Sequence, residues 1–169
     1  SISLKLNLNE NLTKKALNNF SGVSRRFTKI GKINNNLFID DYAHHPTEIE
    51  NVLSAAKDSK LTNNIIAIFQ PHRYSRIQSL YSEFSKCFKR ADLVLVTDVY
   101  AAGEKNTNSF KIGNFIKLID KNSKVKTIHI KSIDLINKYF DNNKKNLVIF
   151  MGAGDISNKA KEFYNKFNN

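Results

Sequence analysis

The sequence predicts an α/β fold: a Rossmann-like, doubly wound, mostly parallel sheet with helices on both faces and a short N-terminal hairpin. Three observations carry this. Ile65-Ile66-Ala67-Ile68-Phe69, Leu93-Val94-Leu95-Val96 and Leu147-Val148-Ile149-Phe150 are short continuous apolar runs, the pattern of strands buried on both faces. Apolar residues at helical spacing fill the stretches between them. Each run also empties into a polar turn containing glycine or proline, and such turns are where an α/β sheet presents ligand-binding groups.

Taken in order, residues 1–20 read as the end of something rather than a beginning. Ser3 to Leu8 alternates like an extended segment, and Leu12, Ala16, Leu17 and Phe20 space out a short amphipathic helix. Ser21-Gly22-Val23-Ser24 suits a hinge, and Phe27 to Asp41 suits a hairpin turning at Gly31 and Asn34-Asn35-Asn36. Thr47 and Glu50 have capping-box spacing ahead of a helix carrying Ile49, Val52, Leu53 and Ala56. Ser75 and Gln78 repeat that spacing ahead of Ile77, Leu80, Tyr81, Phe84 and Phe88. Residues 105–110 form a polar loop, and Ile112, Phe115, Ile116 and Ile119 mark the next helix. Val125 to Ile130 is a strand, Ser132 caps a helix with Ile133, Ile136 and Phe140, and Ile156, Ala160, Phe163, Tyr164 and Phe167 line the last helix.

At 169 residues the chain suits one domain with a core that needs no staples. A single cysteine, Cys87, excludes an intrachain disulfide, and no apolar run approaches a membrane span. The expected setting is cytoplasmic, without membrane contact. The net charge of +12 raises nucleic acid as a partner, but the lysines are scattered and no basic, aromatic-interleaved helix face exists. No nucleic-acid partner is expected. Solvated surface and a few arginines facing phosphate or carboxylate account for the charge better.

The polar residues concentrate in one stretch, Asp40-Asp41-Tyr42-Ala43-His44-His45-Pro46-Thr47-Glu48, in a strand-to-helix turn. If the sheet is doubly wound, the turns at 40–48, 70–76, 98–104 and 152–155 share its carboxyl edge, bringing Asp41, Tyr42, His44, His72, Arg73, Arg76, Glu104 and Asp155 toward one rim. Arg73 and Arg76, three apart, project to a similar side of a helix start whose free amides add positive potential. The guanidinium forks suit carboxylate or phosphate. Asp155 suits a helix cap and Gly152-Ala153-Gly154 suits either close strand–helix packing or backbone approach to a ligand, while Asp98 and Glu104 stay open. His44, His45 and His72 lack zinc-site spacing, so no protein-held metal is expected.

The central stretch resembles the signature of the C-terminal domain of the Mur ligases, in the branch that joins L-alanine to UDP-N-acetylmuramate. Phe20 to Phe27, Phe69 to Arg76, Asp98 to Glu104 and Gly152 to Ile156 extend the resemblance in the same order. Gln70-Pro71-His72-Arg73-Tyr74 favours that branch over the peptide-recycling ligase, which shares the central cluster. The resemblance implies an ATP-dependent acid–amino-acid ligase of peptidoglycan precursor synthesis, with residues 1–22 closing a preceding ATP-binding domain and linker and 23–169 forming the C-terminal domain. It implies Arg26 and Asp41 at the nucleotide, Asp41 on the ATP ribose, and Tyr42, His44, Arg73 and Arg76 around L-alanine. The phosphate cradle and the Mg²⁺ site would belong to the central domain, and no Gly-x-x-x-x-Gly-Lys-Ser/Thr occurs in this chain. No catalytic residue is therefore assigned within the chain alone, which is expected to be inactive by itself. Asp41, read as ligand-facing, is expected to tolerate asparagine without loss of stability. The alternative is a non-catalytic Rossmann-like module binding a nucleotide or a partner.

Overall fold

The computed structural model describes residues 2–19, 23–62, 64–106, 110–141 and 143–168. Its centre is a six-stranded sheet in the order β1-β2-β6-β3-β4-β5. β1 (Thr28–Ile33) pairs antiparallel with β2 (Asn36–Asp41). β2, β6 (Asn146–Met151), β3 (Asn64–Phe69), β4 (Leu93–Val96) and β5 (Thr127–His129) are all parallel. The expected doubly wound sheet with an N-terminal hairpin is what forms. The turn sits at Asn34, with φ 51, while Gly31 lies within β1, where a Cβ would strike the ring of Tyr164.

Alternate strand residues feed two cores. Ile39, Ile65, Ala67, Phe69, Val94, Val96 and Ile149 face α3 (Pro46–Asp58), α4 (Tyr74–Ser79), α5 (Tyr81–Phe84) and α6 (Ile112–Ser123) through Ile49, Leu53, Ile77, Phe84, Phe115 and Ile119. Phe38, Ile66, Ile68, Leu95, Val148 and Phe150 face the 3-10 helix Ile133–Tyr139 and α7 (Ile156–Phe167) through Ile133, Ile136, Ile156, Ala160 and Phe163. Connections running β2→β3→β4→β5 thus lie on one face and the return to β6 on the other, as uniform crossover handedness demands.

The chain ends β6 in the middle of the sheet, and a buried polar ladder pins it there. Asn36, Asn146 and Asn64 open β2, β6 and β3 and stand directly opposite one another. The Asn64 amide donates to Asn146 Oδ1, and Asn146 Nδ2 donates to Asn36 Oδ1 at 2.7 Å and to the Asp141 carbonyl at 2.9 Å. A one-residue slip of β6 would carry Asn146 out of reach of both partners and set its apolar set on the wrong faces.

Helix starts differ from the expected ones, for local reasons. Pro46 occupies the first helical position of α3, so His45 is the N-cap and Glu48, not Glu50, reaches back. Its carboxylate accepts from the His44 N–H at 3.0 Å and the His45 N–H at 3.2 Å. The expected box at Ser75 and Gln78 is absent too, because the Ser75 hydroxyl and N–H both donate to Glu104, at 2.6 and 3.0 Å. The helix breaks at Leu80 into α4 and α5. Ser132 does cap its helix, its hydroxyl oxygen accepting from the Asp134 N–H at 3.2 Å, but the helix is 3-10 rather than α.

The N-terminal segment is separate in character. The stretch expected to be extended instead begins with the single helical turn α1 (Ile2–Lys5), and among the described residues no neighbouring strand completes a ladder with it. α2 (Glu10–Asn18), capped by Asn9, buries no residue, and Leu12 and Leu17 are 67% and 68% exposed. The expected hinge residues Ser21 and Gly22, Phe20, and residues 107–109 of the polar loop lie outside the described residues.

Asn146→Ala should cost about 1–3 kcal/mol, because Asn36 and Asn64 lose their shared partner inside the sheet. Urea denaturation of the 169-residue chain measures this. A change under about 0.5 kcal/mol, the range of an ordinary surface swap, would show that the ladder contributes nothing.

Candidate functional site

The carboxyl ends of β2, β6 and β3 are adjacent, and the turns leaving β2 and β6 go to opposite faces of the sheet. This is the topological switch at which a doubly wound sheet opens a crevice. Arg25 enters it from the segment before β1, at φ 59. Its Nη2 donates to the Gly152 carbonyl at 2.6 Å, its Nε lies 3.7 Å from Asp40 Oδ2, and its guanidinium covers the Tyr42 ring at 4.7 Å. The Arg25 carbonyl accepts from the Tyr42 N–H at 2.8 Å. Asp40, 1% exposed, also accepts from the Ser157 hydroxyl at 2.6 Å. Gly152 holds φ 153 with the Gln70 carbonyl 3.0 Å from where a Cβ would stand, so only glycine fits between β6 and β3 here.

Asp41 sits one residue further along and is only 2% exposed. Its Oδ2 accepts from the Phe27 N–H at 2.7 Å and its Oδ1 from the Ala43 N–H at 2.8 Å. The expectation of a surface-facing carboxylate that tolerates asparagine is corrected by this. Both oxygens tie the hairpin and the strand-to-helix turn together. Arg26 is exposed beside it, with its charge acting on Glu48.

Above these lies a cationic and aromatic rim. The Tyr42 and His44 rings meet edge-on at 5.0 Å, and His44 meets His72 at 6.2 Å. His72 stacks on Tyr100 at 5.4 Å and 12°, an arrangement held by a parallel bridge between their backbones. Arg76 Nη1 reaches His72 Nδ1 at 3.3 Å. Arg73 is the N-cap of α4 at φ 65, with its N–H on the Tyr100 carbonyl at 2.9 Å. Tyr42, His44, Arg73 and Arg76 are thus gathered around His72.

Electrostatics follow from these contacts. Partial burial, then the charges of Arg76, His44 and Arg73, push the His72 pKa down against the smaller pull of Glu104, so its ring is neutral at pH 7. Burial works to raise Glu48, but the His44 N–H, the His44 ring, the His45 N–H and Arg26 hold it below the ordinary carboxylate range. Glu104 is lowered by the Ser75 hydroxyl first and its N–H second, with Arg73 adding to the effect. That carboxylate already occupies the start of α4, a helix of six residues, so the expected free amides there are not available to an anion.

Asp155 stands at the N-cap position of α7 without a side-chain cap bond. Its carboxylate instead accepts from Gln70 Nε2 at 2.6 Å and pairs with Lys159 at 3.0 Å, while Gln70 Oε1 accepts from the Ile156 N–H. Asp98 is bound to His129 Nε2 at 2.7 Å, away from the rim. A cavity of about 450 Å³ beside it, lined by Thr97, Asp98, Lys131, Ser132, Lys159 and Lys166 among others, shares no residue with the cluster. Among the described residues no three His, Cys, Asp or Glu side chains converge as a metal site.

Residues 25–154 match the family model for the Mur ligase, glutamate ligase domain. The chain belongs to the Mur ligase family. It is 43% identical over 159 residues to the UDP-N-acetylmuramate–L-alanine ligase of Pelagibacter ubique, covering 93% of this chain and 34% of that protein. Against the ligase of the same name from Rickettsia bellii it is 44% identical over 177 residues, covering 100% and 36%. The chain therefore spans about a third of the length of these relatives. The crystal structure of UDP-N-acetylmuramate-alanine ligase MurC from Thermotoga maritima superposes with a TM-score of 0.73 at 29% identity, over 99% of this chain and 35% of that one. A murein peptide ligase from Psychrobacter arcticus shares the fold, with a TM-score of 0.68 at 23% identity.

Within this Mur ligase domain, sequence reasoning passed over Arg25 and treated Gln70 only as part of a motif. Adjacent arginines give no periodic cue to which one turns inward. The cue that was present is that Arg25 precedes the hairpin whose second strand ends in two aspartates.

Asp41→Asn should destabilise the chain by about 1–3 kcal/mol, since an amide NH₂ would face one of two backbone donors, Phe27 or Ala43. A thermal melt unchanged from the unsubstituted chain would restore the ligand-facing reading. Glu48 gives a pH signature. Its folded pKa is depressed, so its contribution is present above the ordinary carboxylate value and is lost as pH falls through the folded one. Glu48→Gln should therefore flatten the stability–pH curve on the acid side of pH 4.5, measured by urea denaturation across that range.

Proposed function

We propose that this chain is the C-terminal, substrate- and nucleotide-binding part of an ATP-dependent ligase that joins L-alanine to UDP-N-acetylmuramate in cytoplasmic peptidoglycan precursor synthesis. The observation that carries it is the identity of 43–44% across 93–100% of the chain to ligases of that name, coinciding with a rim of cations and aromatic rings at the sheet's switch point. Residues 1–22 are read as the end of a preceding ATP-binding domain and a linker, and 23–169 as the C-terminal domain. The largely exposed apolar side chains of α2 support that division, because a helix face of this kind is stable only against a partner surface.

In this reading Arg73 and Arg76 present guanidinium forks to the amino acid's carboxylate, with Tyr42 and His44 beside its amino group. Arg26 lies toward the nucleotide, and Asp41, whose two oxygens each accept a backbone N–H, holds the hairpin and the strand-to-helix turn beside it. Mg²⁺ would neutralise the ATP phosphates, but the described residues do not fit a site for it, and this chain's part is binding and orientation.

Two outcomes follow. Chain 1–169 alone should release no phosphate from ATP above a buffer blank. In the full-length ligase, Arg73→Ala or Arg76→Ala should raise the KM for L-alanine roughly ten- to hundredfold, the loss of about 1.5–3 kcal/mol for a charge-assisted contact. Lysine should rescue only partly, lacking the planar fork. Steady-state phosphate release with L-alanine varied measures this; a rise confined to the KM for the UDP-sugar would sink the placement of the arginines.

A further inference from the structure

We propose that the amino edge of the sheet, opposite the crevice, carries a second ligand site: a lysine-lined hollow between the entries of β3 and β6 that takes a short polyphosphate. The site is independent of the ligation proposed above. The six residues of β6, about 20 Å of strand, separate it from the crevice.

Basic residues that look scattered along the sequence are gathered by the strand order. Lys57 and Lys60 precede β3, and Lys144 and Lys145 precede β6, its neighbour in the sheet. Lys89 and Arg90 precede β4, and Lys124 and Lys126 precede β5, continuing the row. All eight are exposed. Parallel strands start at one edge, so these pairs share it and make its potential positive. Of the acidic residues on that edge, Asp58 is exposed and three others are engaged by the backbone. Asp92 accepts from the Ile65 N–H at 2.8 Å, Asp120 from the Thr127 N–H at 3.1 Å and Asp141 from the Asn143 N–H at 3.0 Å.

Two of these pairs meet at one hollow of about 630 Å³, where Lys57, Lys60, Lys144 and Lys145 stand with Thr62 and Asn143. That volume is within the range of small-molecule sites. Among the described residues, no acidic side chain and no aromatic ring lines it. Lys57 Nζ lies 3.6 Å from Asp92 Oδ2 and Lys144 Nζ 3.2 Å from Asp141 Oδ2, but among the described residues Lys60 and Lys145 have no ion pair. Lysine is a point charge that suits phosphate oxygens, whereas the planar grip on a carboxylate needs arginine, which the hollow lacks. With no ring to stack a base, the phosphate chain itself is what is recognised. The walls come from both sides of the sheet, since Lys57 ends α3 on one face and residues 143–145 follow the 3-10 helix on the other. They lead into Asn64 and Asn146, whose side chains pair inside the sheet. An anion bridging the two lysine pairs fastens the entries of β3 and β6 together and stabilises the folded chain by mass action.

Calorimetric titration of sodium tripolyphosphate into chain 1–169 at low salt tests this, with amide NMR of the same sample to locate the binding. The expected result is saturable binding, a raised melting temperature, and the largest shifts at residues 60–62 and 143–146. The double variant Lys60→Gln/Lys145→Gln should weaken binding roughly three- to thirtyfold. Lys117→Gln/Lys161→Gln removes the same charge from exposed positions on α6 and α7, and should change binding less than about twofold. Absence of saturable binding, equal losses in the two double variants, or shifts confined to the Arg73 and Arg76 rim would each overturn the site. Duplex DNA that binds more tightly than tripolyphosphate, with a steep salt dependence, would overturn it too and make the edge a nucleic-acid surface.

Discussion

The insertion of β6 between β2 and β3 is the constraint on which the molecule depends. β6 is the last strand to be made, yet it forms the parallel ladders that join the two halves of the sheet. Its own backbone is paired on both sides, and its six residues are all buried, so neither neighbouring strand can close without it. The asparagine ladder at its start fixes its register, and that register decides what stands at its far end. Asp41 pairs with Met151 and Phe69 with the same residue, which sets the turns after β2, β6 and β3 side by side.

The polar economy of the switch point follows from that geometry. Asp40, Asp41, Gln70 and Asp155 are held by backbone amides, by Ser157 and by one another, so they form the floor of the crevice rather than its working surface. Arg25 Nε and Asp40 Oδ1 are buried without a hydrogen-bond partner among the described residues. The Arg25–Asp40 ion pair, with Nε 3.7 Å from Oδ2, is the costly point of the floor, because a buried charge without full hydrogen bonding is costly. The working groups stand above it on turns whose own supports come from other loops: Glu48 for His44, Tyr100 for His72, and Glu104 for the helix that carries Arg76.

Such supports explain which sequence signals failed. Capping boxes at Thr47/Glu50 and Ser75/Gln78 satisfy a spacing rule, but Pro46 moves the first helix start by its fixed φ, and Glu104 takes Ser75 from 29 residues away. Among the described residues no strand pairs with the alternating stretch 3–8, and its first part falls in the helical turn α1. Asp41 was read as ligand-facing from the family resemblance; burial by the hairpin that folds back over it is a contact between Phe27 and Asp41 that no local pattern encodes.

What the sequence determined by itself is the layout: apolar runs without alternation require a sheet covered on both faces, helical periodicity supplies the covers, and the polar turns must then lie at one edge. The ordered motif blocks placed Tyr42, His44, His72, Arg73 and Arg76 in those turns, and the folded chain brings them together. Only the tertiary structure decided which of these side chains are held by partners from other segments. Hydrogen-bond partners such as Tyr42 O for His44, Arg76 for His72 and Phe27 N for Asp41 are fixed by distances of about 3 Å between segments whose relative placement depends on the whole sheet closing.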